Sequence, residues 1–204
     1  MRLYIAQDHV YQRPMKSDVW SSRSRWLHAA TYFILTLSGV CGRTAVGAEP
    51  SKDFVEYISA LTIGREGTPL KLKKGEAATT KATFKPPVEI LIEAKTHTTN
   101  LRIGYAAQQV IFNWEHIGDE LRVDGGPANG KHKGGAGAIP RDKYVLIRWL
   151  VTPRKQSIFV DGQQRYEHVG DYSQIDNPVS VFGAEGSEVT VKSIKVKQLP
   201  AGTE

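Results

Sequence analysis

Cysteine is almost missing: the 204 residues contain one, Cys41. A single thiol cannot close an intrachain disulfide or build a thiolate metal cluster, so any fold here must be held by its core. Histidine pairing is also missing. His97, His116, His132 and His168 include no pair at i, i+2 or i, i+4, which excludes the local zinc motifs. No nucleophile-elbow sequence marks a serine hydrolase. The closest approach to a phosphate-binding loop is Gly125-Gly-Pro-Ala-Asn-Gly130-Lys131, but His132 stands where a Ser or Thr would hold magnesium. No helical period follows the segment to cradle a phosphate. Charge of one sign is scarce as well, once the first 48 residues are set aside. That segment carries Arg2, Arg13, Lys16, Arg23, Arg25 and Arg43 against Asp8 and Asp18, leaving 21 basic and 19 acidic residues in the remaining 156. A domain at net +2 gives no electrostatic reason to expect nucleic acid as a partner.

There is one long apolar run, Trp26 to Val40. Arg23 and Arg25 precede it, and Val46-Gly47-Ala48 follows with small residues at the last and third-last positions. A basic flank, a short apolar stretch and a small-residue cleavage site describe a secretory leader over residues 1–48. The run is shorter than the roughly 20 apolar residues that span a bilayer. Contact with a membrane is expected only through an uncleaved leader. Met15 would be the more ordinary start, making residues 1–14 a start-site error. Residues 49–204 then form a secreted or periplasmic domain, long enough to bury a sizeable core.

What is abundant in that domain is alternation. Val88 to Ala94 places Val88, Ile90, Ile92 and Ala94 on one face and Glu89, Leu91 and Glu93 on the other, the pattern of a half-buried strand. Leu101–Tyr105 and Val110–Trp114 read as a hairpin, followed by a short strand at Leu121–Val123. Gly125 to Gly137 reads as a loop. Tyr144–Thr152, Ser157–Val160 and Arg165–Val169 read as three strands, the last two joined by Asp161-Gly162, a strong hairpin-turn signal. Val179–Ala184 and Val189–Leu199 complete the series, with a bulge expected near Ser193 where the apolar phase switches. Asp53 to Ile63 fits a strand or a short helix. Many strands with turns between them mean a sandwich or a barrel.

Residues 144–199 resemble the concanavalin A-like (laminin-G-like) jelly-roll superfamily. The resemblance is carried by Trp149-Leu-Val-Thr, by Ser157-Ile-Phe-Val-Asp161-Gly162 and by the closing strand Val189 to Leu199. It implies an all-β, two-sheet antiparallel jelly-roll sandwich. The superfamily includes lectin-like binding modules, glucanases of glycoside hydrolase family 16 and the 3-keto-disaccharide hydrolase-like group. The glucanase signature Glu-x-Asp-x-x-Glu is missing here; Glu115-His-Ile-Gly-Asp119-Glu120 has the wrong spacing and contains a turn-forming Gly.

The expected ligand is therefore an extracellular or periplasmic glycan, held without catalysis. Sugars are bound by aromatic faces with amide and carboxylate groups fixing the hydroxyls. Asn113, Trp114 and Glu115 offer that mixture, although Trp114 also suits a core. Arg148 interrupts the apolar strand Tyr144–Thr152, opposite a core set of Val145, Ile147, Trp149 and Val151. It is either a ligand-binding residue or half of an ion pair with Glu89 or Glu93. A hydrolase or lyase using Glu89, Glu93 or Glu115 is the alternative function, and a structural or protein-interaction domain a second. No catalytic residue, metal ligand or cofactor is assigned. Asp119, Glu120 and Asp124 could contribute oxygens to a structural calcium ion, but three carboxylates near a turn are more often simply solvated.

Overall fold

The computed structural model describes residues 54–56, 68–73, 75–184 and 186–204. The expected leader and most of the ambiguous stretch Asp53 to Ile63 lie outside the described residues. Every regular element described is a strand: β1 (Val55–Glu56), β2 (Leu70–Leu72), β3 (Ala77–Thr79), β4 (Val88–Thr96), β5 (Leu101–Gly104), β6 (Gln109–Phe112), β7 (Leu121–Asp124), β8 (Lys131–Lys133), β9 (Val145–Val151), β10 (Lys155–Val160), β11 (Gln163–Val169), β12 (Ser180–Gly183) and β13 (Val189–Gln198). They form two antiparallel sheets. One has the order β1-β13-β4-β9-β10-β11, with β2 also paired to β13; the other runs β3-β12-β5-β6-β7-β8. Chain-distant strands such as β4 and β13 lie side by side, and the result is the jelly-roll sandwich.

The alternation in the sequence explains the packing. Val88, Ile90, Ile92 and Ala94 of β4 face the core, as do Val145, Ile147, Trp149 and Val151 of β9. From the other sheet come Leu101 and Ile103, Val110 and Phe112, Leu121 and Val123. Each such fully buried aliphatic side chain contributes about 1.5–3 kcal/mol over its exposed state. Trp149 sits at the centre, edge-on to Tyr105 at 6.0 Å between ring centroids. Its indole N–H would be a costly orphan there, so Gln156 Oε1 accepts it at 2.9 Å.

Turn chemistry sets the registers. Asp161 (φ 49°) and Gly162 (φ 80°) both take the left-handed conformation that a two-residue hairpin turn between β10 and β11 demands. The β13–β4 ladder shifts between Val191 and Ser193, which moves Val191 and Ile194 both into the core. The segment Gly125 to Gly137, expected as a loop throughout, includes β8. Its Lys131, His132 and Lys133 pair with Val123, Arg122 and Leu121. Three polar residues without apolar alternation hid this strand. It lies at a sheet edge, where lysines discourage pairing with other chains.

Trp149→Phe removes the donor to Gln156 and leaves a gap. A loss of about 2–4 kcal/mol is expected, read in urea unfolding as a lower midpoint at constant slope. A change below about 0.5 kcal/mol would mean that Trp149 is not the centre of the core.

Candidate functional site

A strand that turns one face to the core turns the other to solvent. On the six-stranded sheet, register places Phe182, Arg102, Ile111, Arg122 and His132 in one outward row across β12, β5, β6, β7 and β8. Gln109 and Asp124 are opposite each other in the next row. Ile111 is the anomaly in this row. It is 1% exposed although it points away from the core. The flanking arginines Arg102 and Arg122 stand directly opposite it, and their aliphatic stems can shield it while their charged ends remain at the surface.

Those ends form a network. Arg102 donates from Nη1 to Gln109 Oε1 at 2.7 Å and from Nη2 to Asn100 Oδ1 at 2.9 Å, with Glu115 Oε1 at 3.4 Å. Gln109 Nε2 donates to Asp124 Oδ2 at 2.7 Å, and Arg122 Nε donates to Asp124 Oδ1 at 2.8 Å. Burial alone would raise the Asp124 carboxyl. The bonds from Arg122 and Gln109, with the charges of Arg122 and His132, outweigh it and hold the carboxyl below its ordinary range. Arg102 Nε is buried and has no acceptor among the described residues.

Trp114 stands beside this network. Its ring is partly exposed, with the Arg122 guanidinium 4.8 Å from the ring centroid. His116 and His132 approach it edge-on at 5.3 and 5.7 Å. His132 is in turn paired with Glu120.

The four residues expected to bind ligand are distributed as follows. Trp114 and Glu115 lie at this network, Glu115 exposed and facing Arg102. Asn113 is adjacent in the chain but buried. It takes φ 48°, and its amide bonds both ways with Ile139, donating to the carbonyl at 2.9 Å and accepting from the N–H at 2.8 Å. The amide therefore clasps the segment that ends at Ile139 instead of facing solvent. The turn at Asn113 also ends β6 at Phe112, short of the strand expected over Val110–Trp114. Arg148 lies on the outer face of the other sheet, paired with Glu89 and set 5.0 Å from the Phe159 ring. It does not meet Trp114. Glu93 is on that same far face, paired with Lys192, so neither Glu89 nor Glu93 joins Glu115. Among the described residues no group of three His, Cys, Asp or Glu is placed to hold a metal. Of the oxygens considered for calcium, those of Asp124 accept from Arg122 and Gln109, and Glu120 pairs with His132.

Asn100, Arg102, Gln109 and Arg122 were not singled out in the sequence, and Asp124 and His132 were considered there only for calcium, zinc or phosphate. The outward phase of Leu101–Gly104 and Leu121–Asp124 is visible there, but the pairing that brings them together is long-range.

No protein-family model and no curated protein sequence matches the chain. Solved structures are similar in fold. A β-glucanase from Bacillus licheniformis is 10% identical, with a TM-score of 0.47 over 64% of this chain and 78% of that one. A galectin from Caenorhabditis elegans is 12% identical, with a TM-score of 0.47 over 64% of this chain and 96% of its own. The likeness is one of fold.

Two outcomes follow from this geometry. Asn113→Ala leaves buried groups of Ile139 unpaired and should lower stability by about 1–3 kcal/mol, read by thermal unfolding; an unchanged midpoint would show that the clasp is dispensable. The depressed Asp124 carboxyl contributes stability that is present above the ordinary carboxylate range and lost as pH falls through the folded value. Asp124→Asn should therefore flatten the acid limb of the stability–pH profile, and an unchanged limb would contradict the network.

Proposed function

We propose that the chain is a non-catalytic carbohydrate-binding module whose site is the outer face of the six-stranded sheet around Trp114. The observation that carries this reading is a partly exposed indole beside a fixed network of guanidinium, amide and carboxylate groups. An indole offers a flat surface for the CH groups of a sugar ring, and the preset amide, guanidinium and carboxylate groups can orient its hydroxyls. Because Gln109 and Arg122 are already locked by Asp124, little ordering remains to be lost on binding.

Hydrolysis is less well served. Glycoside hydrolysis uses two carboxyl groups, and the general acid among them must stay protonated. Asp124 is shifted the wrong way for that acid. Glu120 is paired with His132 and Glu115 with Arg102, so each is already engaged within the network. A cavity of about 320 Å³ lies at the β5–β6 turn, lined by Tyr105, Ala106, Gln108, Gly126, Pro127 and Ile175. Its Gln108 immediately precedes Gln109 and its Gly126 lies two residues after Asp124 in the chain. Export through the basic, apolar leader would bring the domain to an extracellular or periplasmic glycan.

The test is a glycan array of the full chain beside Trp114→Ala and Gln109→Ala variants. Binding to neutral oligosaccharides by the wild type, reduced about tenfold or more in both folded variants, is the expected result. Binding that survives both substitutions would place the site elsewhere, and an array with no wild-type binding would sink the reading.

A further inference from the structure

A second surface, on the opposite outer face, carries several cations that form no ion pair among the described residues. β2 and β4 flank β13, and register sets Lys71 and Lys95 on either side of Thr190. Two strand spacings separate their backbones by about 9.6 Å. Lys95 Nζ lies 5.1 Å and Lys192 Nζ 5.8 Å from the centroid of one ring, Tyr144. Beyond the strand ends, Lys71, Lys73, His97, Ser187, Glu188 and Thr190 line a cleft of about 620 Å³. The turn holding Arg141, Asp142 and Lys143 is tied to this end, because Asp142 N–H donates to the Thr96 carbonyl at 2.9 Å and its carboxylate pairs with His97.

The charges do not balance. Lys192 pairs with Glu93 and His97 with Asp142, and Glu188 lines the cleft. Among the described residues no ion pair joins Lys71, Lys95, Arg141 or Lys143, and of these all but Lys95 are exposed, whereas the Lys73 N–H donates to the Glu76 carboxylate at 2.8 Å. Four such cations around one strand end, among the described residues, are an asymmetry in a domain whose sequence is close to neutral. Unpaired like charges repel when alone, so the arrangement favours a polyanion that bridges them.

We propose that the Lys71–Lys95–Lys143 surface and its adjoining cleft bind an anionic polysaccharide, one bearing sulfate esters or uronate carboxylates. Cations set about two strand spacings apart suit a chain with intermittent charge better than duplex nucleic acid, which carries one charge per roughly 1.7 Å of axis. Single-stranded nucleic acid needs open aromatic faces for stacking, and Tyr144 is already approached by two ammonium groups. An anionic membrane would require apolar residues beside the lysines; the only large exposed one near Tyr144 in the chain, among the described residues, is Leu146. The inference needs no ligand at Trp114 and stands separately from that reading.

The experiment titrates the full chain with dextran sulfate, polygalacturonate and uncharged dextran, using wild type, Lys71→Glu/Lys95→Glu and Trp114→Ala. All proteins share the same flanking residues, so differences report the patch. Binding of either polyanion but not dextran, weakened roughly tenfold or more by the double reversal and by added salt and unchanged by Trp114→Ala, is expected. Sulfate preference or uronate preference would then identify the charged group. Should the double reversal fail to fold, Arg141→Ala/Lys143→Ala in the exposed turn makes the same comparison. Equal binding by the patch variants, no binding of either polyanion, or tighter patch-dependent binding of duplex DNA or anionic lipid vesicles would each overturn the proposal. A blank neutral-glycan array alongside retained polyanion binding would remove only the Trp114 reading.

Discussion

Everything in this molecule follows from one constraint: a strand that buries alternate side chains must place the others on the opposite face. Two sheets packed together fill one space with Ile90, Ile92, Ile103, Ile147 and Trp149. The same strands then have no choice but to display Arg102 and Arg122, or Arg148 and Glu89, outward. The core fixes those outward positions with the precision of a packed interior, which is why chemistry placed there is preorganised.

The two outer faces use that freedom differently. On the six-stranded sheet, charges neutralise one another around Asp124, Ile111 is shielded between two arginines, and an indole is left partly exposed. On the seven-stranded sheet the ion pairs Arg148–Glu89 and Lys192–Glu93 occupy the middle, while at the end near β2 Lys71 and Lys95 form no ion pair among the described residues. The first face suits a neutral, hydroxyl-rich ligand and the second a charged one. Clasps outside the sheets support the first: Asn113 holds Ile139, and Gly137 passes so close to Glu120 that a Cβ there would lie 2.2 Å from its carbonyl oxygen.

Much of the fold was legible in the sequence, because alternation is local and reports burial directly. β4, β9 and β13 were read with their inward faces correct, including the phase switch near Ser193 and the Asp161-Gly162 turn. β8 was not, since its three polar residues at a sheet edge show no alternation. The site was legible only in fragments. Trp114 and Glu115 stood out as an aromatic–carboxylate pair, yet their neighbours Arg102, Gln109 and Asp124 come from three strands whose pairing no local pattern encodes. Asn113 was misleading for the same reason. Its partner, Ile139, is 26 residues away, and only the folded chain shows that its amide serves the backbone.

The most direct test of the central claim is the indole N–H spectrum of the isotopically labelled chain, titrated with a neutral oligosaccharide that it binds. Trp149 is buried with its N–H bonded to Gln156, whereas Trp114 is partly exposed beside Arg122. The account predicts that the Trp114 resonance shifts on saturation, together with the amides of Gln109 and Asp124, while that of Trp149 stays in place. A ligand that binds without moving Trp114, or that moves only residues of the opposite face such as Arg148, would contradict it.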